Sequence, residues 1–257
     1  MRLFNMFKAN MRKEFLELRR YLPNTIAVII TFYIIFLGLF LGIKVIGDSG
    51  TEDYNVQYMI VSYIFWFMAT MVLQHIGGQI TSEAMRGTLE QLYMSPLGVW
   101  RIMAARLISS LIMYFIIISI LLYFTMLTTN QWLNIDVFSL FPIMFLTFIS
   151  MCGVGYMIAG ISIIWKQIGA FLQIIQFIIA GLAVVPLTAS PILSYLPFVK
   201  GIDLIRNIMI NGITWNNIAL NDYISLTLNA MCYLLIGLLI FKVCERIAIS
   251  RALLSHY

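Results

Sequence analysis

The sequence predicts an all-α polytopic membrane protein with six transmembrane helices and both termini in the cytoplasm. Three observations lead there. Only 11% of the 257 residues are charged and 61% are hydrophobic, whereas a soluble domain carries about a quarter charged residues. Uncharged runs long enough to cross a bilayer, about 18 residues or more, recur along the whole chain. The Lys and Arg residues between those runs fall almost entirely on one side: 13 of 16 share the side of the N-terminus when six spans are counted. The positive-inside rule makes that side cytoplasmic.

The elements follow in order. Within residues 1–23, Phe4, Phe7, Met11, Phe15, Leu18 and Leu22 recur at spacings of three and four, with Arg12, Lys13, Arg19 and Arg20 mainly elsewhere on the wheel. This is the pattern of an amphipathic helix at the cytoplasmic interface, with Pro23 and Asn24 expected to bend the chain into the first span. The long charged leader and the absence of a small-residue cleavage site argue against a removable signal. The spans are expected at 24–46, 56–80, 99–128, 137–165, 167–187 and 222–243. The fourth exceeds what a perpendicular helix needs, so it is expected to tilt, kink at Pro142 or project. The fifth is expected to end before the prolines at 186, 191 and 197, each of which removes a backbone donor. Residues 190–212, with Lys200, Asp203 and Arg206, are then expected as a re-entrant segment on the outer side, where broken backbone needs protein or water to cover it. No linker divides the chain, so residues 1–257 read as one membrane domain.

Chemistry is marked mostly by absence. No GxxxxGK[ST] loop is present, so ATP hydrolysis by that route is not expected in this chain. Cys152, Cys232 and Cys244 lack disulfide or zinc spacing, and His75 and His256 are isolated. No acidic residue lies deep in a span, which weakens a proton- or sodium-driven transporter, since such carboxylates usually mark ion coupling. Asp203 and Arg206, at i and i+3, read as an exposed pair of small energetic weight or as an outer gate. Gln173 and Gln176 read as helix–helix hydrogen bonding or as pathway lining, because amides in lipid need partners. Gly38 with Gly42, and Gly155 with Ala159, predict close helix packing. Between the second and third spans the chain turns polar. In TSEAMRGTLEQLYMSP, Ser82 is placed to cap a helix over 81–94, Glu83 suits its positive end, and Ser95–Pro96 ends it. Met85, Leu89, Leu92 and Tyr93 form an apolar stripe, while Glu83, Arg86 and Glu90 form a charged one. Such a helix either links two spans or presents a rigid knob to a soluble partner, and periodicity leaves both open.

The motif Glu83, Arg86, Gly87, Thr88, Leu89, Glu90, Gln91, Leu92, Ser95, Pro96, continued by Trp100, Arg101 and Arg106, resembles that of ABC transporter type-2 permeases, the membrane subunits of drug and polysaccharide exporters. The segment from Pro191 to Gly212, with Arg206 and Gly212, is similar to that family's stretch between its last two spans. The resemblance implies a dimeric pathway, with a second copy or a homologous permease, coupled to separate ATPase subunits that bind ATP and Mg. Under it 81–94 is a coupling helix in a groove of the ATPase, and Lys166 makes a second contact. It also implies that the second and fifth spans line the pathway, making Tyr63, Phe67, Gln173 and Gln176 candidates. It implies a prokaryotic cytoplasmic membrane and an amphipathic drug, lipid, peptide or polysaccharide substrate, with no nucleic-acid partner and no cofactor in this chain. The rival readings are a stand-alone secondary transporter or channel, and a membrane-anchored scaffold.

Overall fold

In the computed structural model, which describes residues 2–46, 52–85, 94, 99–165 and 168–250, every regular element is helical. Eight α-helices follow in order among these residues: α1 (Arg2–Arg20), α2 (Leu22–Ile46), α3 (Glu52–Met85), α4 (Val99–Thr129), α5 (Val137–Ile164), α6 (Gly169–Val184), α7 (Val199–Asn211) and α8 (Leu220–Ser250). Five of them, α2, α3, α4, α5 and α8, are long and apolar enough to cross a membrane.

The fifth expected span is shorter than its prediction over 167–187. Helix α6 has 16 residues, about 24 Å at 1.5 Å per residue, against a hydrocarbon thickness of about 30 Å. Pro186 explains the stop. It drives the preceding residue out of the helical region, and Val185 is indeed extended at φ −70°, ψ 126°. The chain continues through 3-10 turns at Leu187–Ala189 and Pro191–Tyr195 before α7.

Two further boundaries differ from expectation. The interruption between the leader and the first span is Tyr21, not Pro23–Asn24. Helical bonds cross it, from Tyr21 N to the Glu17 carbonyl (2.8 Å) and from Thr25 N to the Tyr21 carbonyl (3.0 Å). Pro23 falls in the first turn of α2, a position that proline tolerates. At the other boundary, α3 does not end at Ile80. It continues to Met85, so Ser82 lies inside a helix rather than at the start of a new one. Pro142 also lies inside α5, in a helix otherwise unbroken from Asp136, whose side chain caps it by accepting from Phe138 N at 3.2 Å.

Helix α3 is the centre of the bundle. Of its most apolar stretch, 78% is buried, against 6% for α2. Around it pack α2, α4, α5, α6 and α7. The closest pair is α5 with α8, because glycines let their backbones meet. A Cβ at Gly153 would strike the Tyr233 carbonyl, and one at Gly237 would strike the Gly153 carbonyl. Gly155 serves similarly against Ile76 of α3, and Ala159 is fully buried, as small-residue spacing predicts. Gly38 and Gly42 do not: nothing lies within 4 Å of a Cβ at either. Helix α1 packs on α4 through part of its apolar stripe. Phe7, Met11 and Leu18 are half-buried, whereas Phe15 is exposed.

Candidate functional site

The shortness of α6 creates a chemical need. The last carbonyls of a helix have no partner within it and form the negative end of its dipole. Here Pro186 strands those of Ala183 and Val184. Arg206 of α7 answers the first, its Nη2 donating to the Ala183 carbonyl. The Tyr58 hydroxyl of α3 answers the second, donating to the Val184 carbonyl at 3.0 Å. Arg206 Nη2 also donates to Ser62 Oγ of α3 at 2.9 Å, and its guanidinium carbon lies 3.9 Å from the centre of the Tyr58 ring. One side chain therefore ties three helices together at a single point.

Arg206 is only 4% exposed, which overturns the expectation of an exposed, weak pair with Asp203. The carboxylate is present but distant, at 3.9 Å. The positive charge is balanced instead by the helix end and the aromatic face, each of which contributes about 2 kcal/mol in desolvated geometry. Burial pushes the Asp203 carboxyl above its ordinary range, and Arg206 pulls it back.

Helix α7 is held from other sides as well. Lys200 Nζ lies 3.0 Å from Asp222 Oδ1 at the start of α8 and also donates to Ser225 Oγ. Gly201 allows contact with Thr147 of α5, whose side chain occupies the position of a Cβ. Asn229 of α8 donates to the carbonyls of Tyr195 (2.9 Å) and Leu196 (3.3 Å), covering the irregular backbone before α7, and accepts from Ser150 of α5 at 3.2 Å. The turn into α7 is made by Phe198 in the left-handed conformation, φ 59°. Its side chain is buried beside Phe65, Met68 and Met151.

At the far end of α3 lies a second charged contact. Arg106 Nη1 of α4 meets Glu83 Oε1 at 2.7 Å. About two helical turns back along α3, His75 Nδ1 lies 3.1 Å from the Tyr114 hydroxyl and His75 Nε2 lies 2.8 Å from Gln79 Nε2. His75 is thus part of a polar cluster between α3 and α4 rather than a solvated interfacial side chain.

The expected pathway residues separate. Tyr63 and Phe67 are buried within the chain, against α2: the Tyr63 hydroxyl donates to the Phe32 carbonyl at 2.5 Å, and the Phe67 ring centre lies 4.0 Å from that of Phe32. Gln173 is exposed and Gln176 half-buried on α6, where the Gln176 carbonyl accepts from Trp66 Nε1 of α3 at 3.1 Å. Gln74 of α3, which sequence reasoning missed, is exposed too. Its signal was an amide inside an apolar span. Exposed hydroxyls in the long helices behave differently, because Thr31, Ser119 and Thr128 donate to their own helix carbonyls four residues back. A glutamine amide has too many donors and acceptors for that solution. Of the expected coupling residues, Arg86, Gly87, Thr88, Leu89, Glu90, Leu92, Ser95, Pro96 and Lys166 lie outside the described residues.

Compared with known proteins, residues 43–239 match the family described as ABC-2 family transporter protein, about three quarters of the chain. No curated protein matches it.

Proposed function

Because this chain belongs to the ABC-2 family of transporter proteins, and is therefore an ABC permease rather than a scaffold, we propose that it forms the translocation pathway of an ATP-driven exporter. It works as a pair of permeases, with a second copy or a homologue, on separate ATPase subunits that bind ATP and Mg. The observation that carries the pathway is the pair of exposed amides, Gln74 on α3 and Gln173 on α6. An amide facing hydrocarbon leaves polar groups unmet, which costs roughly 1–3 kcal/mol each. These faces of the second and fifth spans therefore turn toward water or a second subunit rather than lipid. Both termini are cytoplasmic, the membrane is a prokaryotic cytoplasmic one, and the substrate is an amphipathic molecule of drug, lipid, peptide or polysaccharide type.

In this reading the segment 81–94 receives the ATPase, with Arg86 and Glu90 facing it and Leu89 and Leu92 facing the membrane domain, while Lys166 makes a second contact. Arg206 forms the outer gate. Its bonds hold the segment over 190–212 against the second and fifth spans, so substrate exit requires the guanidinium to leave Ser62 or the Ala183 carbonyl.

The test is reconstitution of the chain in liposomes with a candidate ABC ATPase subunit. ATP-dependent export of an amphipathic dye is expected, and Gln173→Leu is expected to lower turnover several-fold while the complex and its melting temperature stay unchanged. Transport that needs an ion gradient and no ATPase would return the chain to the stand-alone transporter reading.

A further inference from the structure

Glu83 opens the motif that resembles a partner-docking surface, yet its carboxylate turns inward. It lies two residues before the end of α3 and accepts from Arg106, two turns inside α4, at 2.7 Å. The two side chains are only 19% and 18% exposed. A charge-assisted bond of that length belongs to the strong class, and withdrawal from solvent removes the screening that makes surface pairs weak.

The pair is also the last rung of a ladder between α3 and α4. Gln57 of α3 donates to Gln131, just beyond α4, at 3.0 Å, His75 meets Tyr114, and Glu83 meets Arg106. As residue numbers rise on α3 they fall on α4, so the helices run antiparallel and are tied near both ends and between. Glu83 and Arg106 tie α3 to α4 near the two helix ends that face residues 86–98 in the chain. Helix α1 joins the same junction: it packs on α4, and Lys13 and Glu14 lie within electrostatic reach of the His75–Arg106 region.

We infer that Glu83 and Arg106 form an internal clasp that makes the two helix ends flanking the 86–98 segment move as one body. Glu83 is a positioning residue and not an ATPase contact. This rests on the proposed action of an ATPase on that segment. A push delivered between two independent helix ends is absorbed by their relative motion. With the ends clasped, the same push displaces both spans, and α3, unbroken for 34 residues, carries the displacement from Glu83 to the partners of Arg206 at Tyr58 and Ser62.

The experiment compares the wild-type chain with Glu83→Gln, Arg106→Gln and the exchanged pair Glu83→Arg/Arg106→Glu, each co-expressed with a candidate ABC ATPase subunit. It reads ATPase retained on the purified permease, stimulation of ATP hydrolysis and thermal stability. Losing one charge-assisted bond corresponds to a drop in coupling of about tenfold. Glu83→Gln is therefore expected to retain the ATPase at the wild-type ratio with about tenfold less stimulation, and the exchange to recover most of that loss. Loss of the ATPase from Glu83→Gln without recovery by the exchange would make Glu83 a docking contact and overturn the clasp. Full stimulation in both single variants would overturn it as well. If the single variants do not fold, a folded exchange variant that stimulates as wild type supports the clasp and one that does not sinks it. If the wild-type chain retains no ATPase, the exporter reading fails first, and the coupling role falls with it.

Discussion

Replacing Gly153 by alanine tests the packing that organises half of the bundle. An ideal Cβ there lies 2.6 Å from the Leu234 nitrogen and closer still to the Tyr233 carbonyl. Carbon contacts are comfortable at about 3.5–4.0 Å, so α5 and α8 must part by about 1 Å. The obstacle is backbone and cannot rotate away. Overpacking of this kind costs about 1–3 kcal/mol, and a gap of about 1 Å forfeits up to half of each neighbouring dispersion contact, which places the total near 3 kcal/mol. In a chain of this size that lowers the melting temperature by roughly 6–12 °C. Gly38→Ala is the internal control, since nothing lies within 4 Å of its Cβ. Relief of the glycine penalty, about 1 kcal/mol in a helix interior, raises its midpoint by about 2–4 °C. Thermal unfolding of the detergent-solubilised protein, followed by tryptophan fluorescence, reads both. If Gly153→Ala melts within about 2 °C of wild type, or Gly38→Ala falls as far as Gly153→Ala, the glycine-mediated contact is not what holds α5 to α8.

Phe198 sets two effects against each other. Its left-handed backbone costs about 1–2 kcal/mol relative to glycine, and its buried ring contributes about 3–5 kcal/mol, so both truncations destabilise, but Phe198→Gly is expected to unfold at a higher temperature than Phe198→Ala, the reverse of the usual glycine–alanine order. Glu14 carries a pH signature: burial first, and Glu17 second, raise its carboxyl above the ordinary value, while Lys13 and Arg106 oppose them. A raised folded-state pKa means that ionised Glu14 destabilises the fold at neutral pH, and the penalty shrinks as pH falls through that raised value and is gone below the ordinary one. Glu14→Gln is therefore expected to be the more stable protein at neutral pH, with the gap closing below the ordinary glutamate range, as unfolding midpoints across pH will register.

Much of the scaffold was legible because a lipid environment imposes a simple rule. Five uncharged runs became five helices long enough to cross a membrane, and the composition of each required it. The end of α6 was legible in Pro186, whose effect is local. The continuation of α3 through Ser82 was not. Serine caps a helix only where its own backbone leaves helical geometry, and the run from Gln74 to Met85 contains no residue that forces the chain out of the helix. The charge of Arg206 is visible in the sequence, but its buried setting is not. The i, i+3 spacing directs attention to Asp203, whereas its closest partners, Ser62 and Ala183, lie 144 and 23 residues away. Pro186 carries the clue, since a helix stopped short inside an apolar chain needs a donor from elsewhere. Tyr63 and Phe67 show the converse. Which side of an almost wholly apolar helix faces a cavity depends on what packs beside it, and the α3 sequence has no amphipathic contrast to announce that.

What the sequence by itself determined is therefore the helical membrane architecture, the apolar runs that form its long helices and the family, because hydrophobic length, charge bias and a contiguous motif are properties of the chain read in order. What only the tertiary structure decided is how the charges are used. Arg206 closes three helices together, and Glu83 turns inward to Arg106. In each case the deciding partner lies far along the chain, and desolvation by the assembled bundle is what turns a weak surface charge into a strong internal contact.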